Sequence, residues 1–82
     1  VILYPNPTSG LVHVRMNEKT FNDFDWISLT DLKGVDVMFF RKGNVNSNPF
    51  VISLDELTPG VFFFRLHYSI GSVKVIKIIY LK

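Results

Sequence analysis

The sequence predicts an all-β domain, an antiparallel sandwich of about seven short strands in two sheets. Three observations carry that prediction. Apolar residues recur with a period of two, most clearly in Leu11–Met16 and Val61–His67. Clusters of Pro, Gly and Asn separate these runs. No stretch sustains a helical period.

The chain has 82 residues, which is one domain, residues 1–82, with no room for a second. A chain of this size buries only about 60–65% of its extended surface, so apolar content decides whether it folds. Here 48% of residues are hydrophobic and 15% aromatic, well outside the disordered range. With no cysteine, neither disulfides nor thiolate metal sites contribute. The net charge of +2 is spread thinly, apart from Lys74, Lys77 and Lys82, and argues weakly for nucleic acid or membrane. No apolar run approaches the length of a membrane-spanning helix. The chain opens on a strand-like run, so we expect a processed or excised piece of a longer protein.

Val1–Tyr4 reads as a short strand, ended by the connector Pro5-Asn6-Pro7-Thr8-Ser9-Gly10, whose prolines hold the preceding residues extended. Leu11–Met16 alternates, with Val12, Val14 and Met16 inward and His13 and Arg15 outward. Asn17–Thr20 reads as a polar turn, and Phe21 and Phe24 flank a polar pair without an evident place. Asp25–Thr30 is the next strand, with Ile27 and Leu29 on one face and Ser28 and Thr30 on the other. Asp31-Leu32-Lys33-Gly34 has the residues of a tight hairpin, Asp starting the turn and Gly taking the positive φ. Val35–Arg41 returns, with Val35, Val37 and Phe39 expected to share a face.

Lys42–Pro49 reads as an exposed crossing loop. Phe50–Ile52 is a brief strand. Ser53 and Glu56 have capping-box spacing, but Thr58-Pro59-Gly60 limits any helix there to one turn. Val61–His67 is the strongest strand signal, with Phe62, Phe64 and Leu66 on one face and Val61, Phe63, Arg65 and His67 on the other. Tyr68–Ser72 is a hairpin loop. Val73–Leu81 is the last strand, where the break in alternation at Val75-Ile76 predicts either a bulge or apolar faces on both sides. The expected interior is Val12, Val14, Ile27, Leu29, Phe62 and Phe64.

Reaction chemistry is hard to assemble from these residues. His13 and His67 are the only histidines; both lie on expected polar faces without metal-like spacing to other ligands. Ser28, His13 and an Asp could be combined only on paper, with no strained elbow or oxyanion hole. Asp23, Asp25, Asp31, Asp36, Asp55 and Glu56 scatter near loops without the spaced acids of a calcium loop. Phe63, Arg65 and His67, or Trp26 with Arg15, have the aromatic and basic character of a single-strand binder, but packing explains them better. No cofactor is expected. Lys74 and Lys77 in the last strand fit either edge protection or a terminal strand read by a partner.

Four blocks in order resemble the type A C-terminal sorting domain of the type IX, or Por, secretion system of the Bacteroidetes. Leu3–Gly10 resembles its opening; Ile27–Val37 resembles its central strand, Asp-x-x-Gly turn and return strand. Ile52–Leu66, containing Leu57-Thr58-Pro59-Gly60-Val61-Phe62, resembles its Leu-x-x-Gly-x-Tyr/Phe block. Val75–Lys82 resembles its basic, apolar tail. Phe62 stands where Tyr is frequent, Thr30 where an aromatic is frequent, and the tail carries one terminal basic residue where two are common.

The resemblance implies an immunoglobulin-like sandwich at the C-terminus of a larger cargo protein, with no activity of its own. Such a domain takes its cargo from the periplasm through the outer-membrane translocon to the cell surface or beyond. A sortase-like peptidase at the surface then removes it. On this reading Pro5, Asn6, Pro7 and Gly10 set the geometry of the opening. Asp31, Gly34 and Gly60 hold the tight turns, Leu57 opens the Leu-x-x-Gly block, and Lys74, Ile76, Lys77, Ile78 and Lys82 form the recognised tail. A homodimer through the terminal strand is compatible with it. Two other classes fit the residues: a carbohydrate-binding or adhesive module, for which Trp26 and Phe63 would matter, and a structural accessory domain of an enzyme.

Overall fold

The computed structural model describes residues 1–82. Seven strands form two sheets: β1 (Ile2–Tyr4), β2 (Leu11–Arg15) and β5 (Phe50–Ser53) in the order β1-β2-β5, and β3 (Phe24–Thr30), β4 (Asp36–Arg41), β6 (Gly60–Tyr68) and β7 (Val73–Tyr80) in the order β4-β3-β6-β7. Every strand pair within the sheets is antiparallel. Leu3, Val12, Val14 and Ile52 from the smaller sheet meet Ile27, Leu29, Phe62, Phe64, Leu66, Ile78 and Tyr80 from the larger in one apolar core. All six residues expected inside are buried. Period-two alternation succeeds here because each sheet has one face turned to the other.

Several local expectations are corrected. Glu18–Asp23 is a short helix, α1, rather than a polar turn. Asn17 caps it by accepting a hydrogen bond from the Thr20 N–H at 2.8 Å, and Glu18 in its first turn suits the helix dipole. Phe21 packs from this helix against the core and contacts Phe24 at a ring separation of 6.1 Å. The Lys42–Pro49 loop is largely exposed, as expected, but is anchored at two points. Val45 is buried, and the Asn48 amide accepts from the Met16 N–H and donates to the Met16 carbonyl.

In β4 the expected sharing of a face by Val35, Val37 and Phe39 does not hold. Leu29 pairs with Met38 and Thr30 with Asp36, which leaves Val37 as the extra residue of a bulge. Met38 and Phe40 therefore pack on the core while Phe39, 52% exposed, turns outward against Trp26. β7 shows the reverse. It pairs with β6 without a register break from Gly60↔Tyr80 to His67↔Val73, so no bulge forms at Val75-Ile76. The broken pattern has the second cause foreseen for it, apolar residues on both faces: Ile76, Ile78 and Tyr80 inward, Val73, Val75 and Ile79 outward.

Candidate functional site

The opening connector and the terminal strand, at opposite ends of the sequence, form one hydrogen-bonded unit. Asn6 uses its side-chain amide as a strand would use its backbone: Nδ2 donates to the Lys77 carbonyl at 2.7 Å, and Oδ1 accepts from the Ile79 N–H at 3.0 Å. Thr8 continues the edge. Its N–H donates to the Ile79 carbonyl at 2.9 Å, and its carbonyl accepts from the Leu81 N–H at 2.8 Å, a parallel bridge opposite Tyr80. The Thr8 hydroxyl donates to the Leu11 carbonyl and accepts from the Gly10 N–H, which fixes the turn. A Cβ at Gly10 would meet the carboxylate of Asp55, an exposed side chain that can swing aside, and the Gly10 carbonyl accepts from the Leu54 N–H at 2.7 Å.

The tail residues do not form a single exposed set. Ile78 is fully buried and Ile76 points inward, half-buried, packed against the core. Lys74 lies across from Leu66 and Lys77 across from Phe63, which places the two lysines on opposite faces of the sheet. Both are exposed, as is Lys82 beyond the end of β7.

The turn residues gather at one end of the sandwich. The Asp31 carboxylate accepts from the N–H groups of Lys33 and Val35 at 2.8 and 3.0 Å, and Gly34 takes φ +82°. Leu57, Thr58 and Pro59 face this turn across a cleft of about 450 Å³. Gly60 is not a turn residue as expected; it is the first residue of β6 and pairs with Tyr80.

The outer face of the larger sheet carries Trp26, Phe39, Phe63, Arg65 and His67 together, as the alternation in β6 required. Arg15 is not with them, because β2 belongs to the other sheet. The histidines are not simple solvated strand residues. His67 stacks on Trp26 at 4.3 Å and its Nε2 lies 3.1 Å from the Ser28 Oγ; His13 stacks on Tyr4 at 5.1 Å. Burial lowers the His67 pKa below the ordinary histidine value, the Arg65 charge lowers it further, and Asp36 opposes the shift. Ser28 is the serine of this pair, but it is buried within β3, where the pairing with β6 runs unbroken from Trp26 to Thr30, with no strained elbow to present its hydroxyl. The shallow depression beside it, about 460 Å³, is lined by Asp36, Arg65, Trp26, Phe39 and His67. No three His, Cys, Asp or Glu side chains come close enough together to hold a metal ion. No helix is long and apolar enough to cross a membrane.

Fold and site together define a small all-β domain whose most organised feature is the joining of its opening connector to its terminal strand. The family model described as the secretion system C-terminal sorting domain matches residues 2–81, and the chain belongs to that family. It is a non-catalytic C-terminal secretion signal of the type IX (Por) system, associated with that system's cargo and translocation machinery and with delivery to the cell surface. No curated protein and no solved structure matches the chain.

Proposed function

We propose that residues 1–82 are the single, C-terminal sorting domain of a larger cargo protein, built as an immunoglobulin-like sandwich. The domain escorts its cargo from the periplasm through the outer-membrane translocon, and a sortase-like peptidase removes it at the surface, leaving the cargo attached there or secreted. The family match over nearly the whole chain carries this reading. The clamp on β7 supports it, since a segment next to the cargo holds the strand that would carry the signal.

Within the folded domain the groups offered to the translocon are the side chains of Lys74, Lys77 and Lys82. Ile76 and Ile78 act from inside by seating β7 on the core. A periplasmic reporter fused to residues 1–82 tests the reading in a type IX-competent host. The fusion reaches the surface or medium, and the reporter without the domain stays in the periplasm. Equal retention of both would refute the proposal.

A further inference from the structure

We propose that the open half of the β7 edge, Val73 to Lys77, accepts an added strand: an extended, acidic segment of the translocon partner that receives the domain. This deepens the sorting reading and rests on it. The partners of β7 show which of its backbone groups point away from β6. The Lys77 carbonyl, both backbone groups of Ile79 and the Leu81 N–H all bond to Asn6 or Thr8. In an antiparallel ladder both groups of one residue point to the same side and alternate residues point to opposite sides. Val73 and Val75 therefore also present their N–H and C=O outward. The connector does not reach them, and β7 has no further neighbour. The domain closes its own edge from the Lys77 carbonyl to Leu81 and leaves it open from Val73 to the Lys77 N–H.

The other outer strand of the sheet is a poorer template. The bulge at Val37 interrupts β4, a common protection against unwanted pairing. β7 is regular over its whole length. Its charges choose among incoming strands. Neither Lys74 nor Lys77 faces an acid across the β6–β7 pair. Two copies pairing antiparallel must set residues of the same face opposite each other, so a register about Lys74 or Lys77 opposes like charges and a register about Val75 leaves both lysines opposite apolar residues. A strand with Asp or Glu opposite the lysines supplies an attraction that a second copy lacks, so the edge favours an acidic partner over its own kind. Val73 and Val75, 43% and 45% exposed, offer alternate apolar residues of that strand a surface on the outer face.

The substitution Val75→Pro tests this in the reporter fusion. Proline removes the outward N–H of Val75 and leaves the ladder to β6 intact, because that N–H takes no part in it. The expected result is a domain that still melts cooperatively and an export rate reduced roughly tenfold or more, as loss of about 1.4 kcal/mol of binding gives. Lys74→Glu with Lys77→Glu is expected to reduce export similarly, whereas Lys74→Arg with Lys77→Arg exports normally. Normal export of a folded Val75→Pro domain would overturn the proposal. If that variant does not fold, normal export of the double Glu variant overturns it. Dimers of a Val75→Cys domain cross-linked through that cysteine would also do so, by making a second copy the occupant. Failure of the unsubstituted domain to export its reporter refutes the sorting reading instead, so the two outcomes are separable.

Discussion

Replacing Asn6 with Ala should loosen the terminal strand without touching the core. The substitution removes one hydrogen bond to the Lys77 carbonyl and one from the Ile79 N–H. Both bonds are exposed, so water replaces the lost partner and the cost stays near the lower end of the usual range, about 0.5–1 kcal/mol each. The sum, about 1–2 kcal/mol, lowers the melting temperature of a domain this size by roughly 4–15 °C. Hydrogen exchange measures the local effect. The Ile79 amide should lose protection by about five- to thirtyfold, and the Leu81 amide should follow to the extent that Thr8 moves with Asn6. Asn6→Asp keeps an acceptor for Ile79 but sets a carboxylate against the Lys77 carbonyl, so it should not rescue the clamp. Unchanged exchange at Ile79 in Asn6→Ala would mean that the amide does not hold the edge, and the interlocking of the two ends would have to be abandoned.

Ile78→Ala should cost about 2–5 kcal/mol, because the side chain is wholly buried between the sheets; chemical denaturation measures it. Tyr80→Phe removes a buried hydroxyl that has no hydrogen-bond partner, so denaturation should find it neutral or up to about 1 kcal/mol more stable. Gly34→Val places a β-branched residue at φ +82° and should destabilise by about 1–3 kcal/mol, with open space around the new side chain giving no steric excuse. The lowered pKa of His67 means that the unfolded chain takes up its proton first as pH falls. Its contribution to stability is therefore complete above the unfolded pKa and is lost as pH drops through the ordinary histidine range toward the folded value. A small loss of stability on acidification from pH 7 to 5 should shrink in His67→Gln, and proton NMR of the imidazole should show a pKa below 6.5.

The strands and the core were legible because burial between two sheets writes itself directly into alternation, as in Val12, Val14, Phe62 and Phe64. The hairpin at Asp31-Gly34 was legible because its geometry demands those residue types. What escaped were features that depend on one residue or on distant partners. Helix α1 is too short to show a period, and its only local sign was the capping Asn17. The bulge at Val37 turned Phe39 outward, which no pattern within β4 could announce. The Asn6 clamp joins residues 71 and 73 positions apart, so nothing near Asn6 signals it. Ser28 and His67 each occupied outward positions in their own runs, and only the β3–β6 register brought them together. The tail was recognisable as a block, yet burial divided its residues into lysines that face solvent and isoleucines that face the core.

That division changes how truncations of the tail must be read. Removing Lys77–Lys82 deletes Ile78 and Tyr80, both fully buried, along with the strand positions that Asn6 and Thr8 hold. The two side chains alone represent about 5–10 kcal/mol of core packing. A domain of 82 residues has a total stability of about 4–12 kcal/mol. Such a truncation therefore measures whether the sandwich survives, and an export defect would follow from unfolding even if no receptor read a single tail residue. Removing only Leu81 and Lys82, which are exposed, spares both buried side chains and the Asn6 clamp, although it gives up the bond from the Leu81 N–H to Thr8. A domain shortened in this way should melt cooperatively within several degrees of the full chain. If it then fails to export, the terminal residues carry recognition in their own right. If it exports normally, the signal lies inward of them, on the lysines and the open edge of β7.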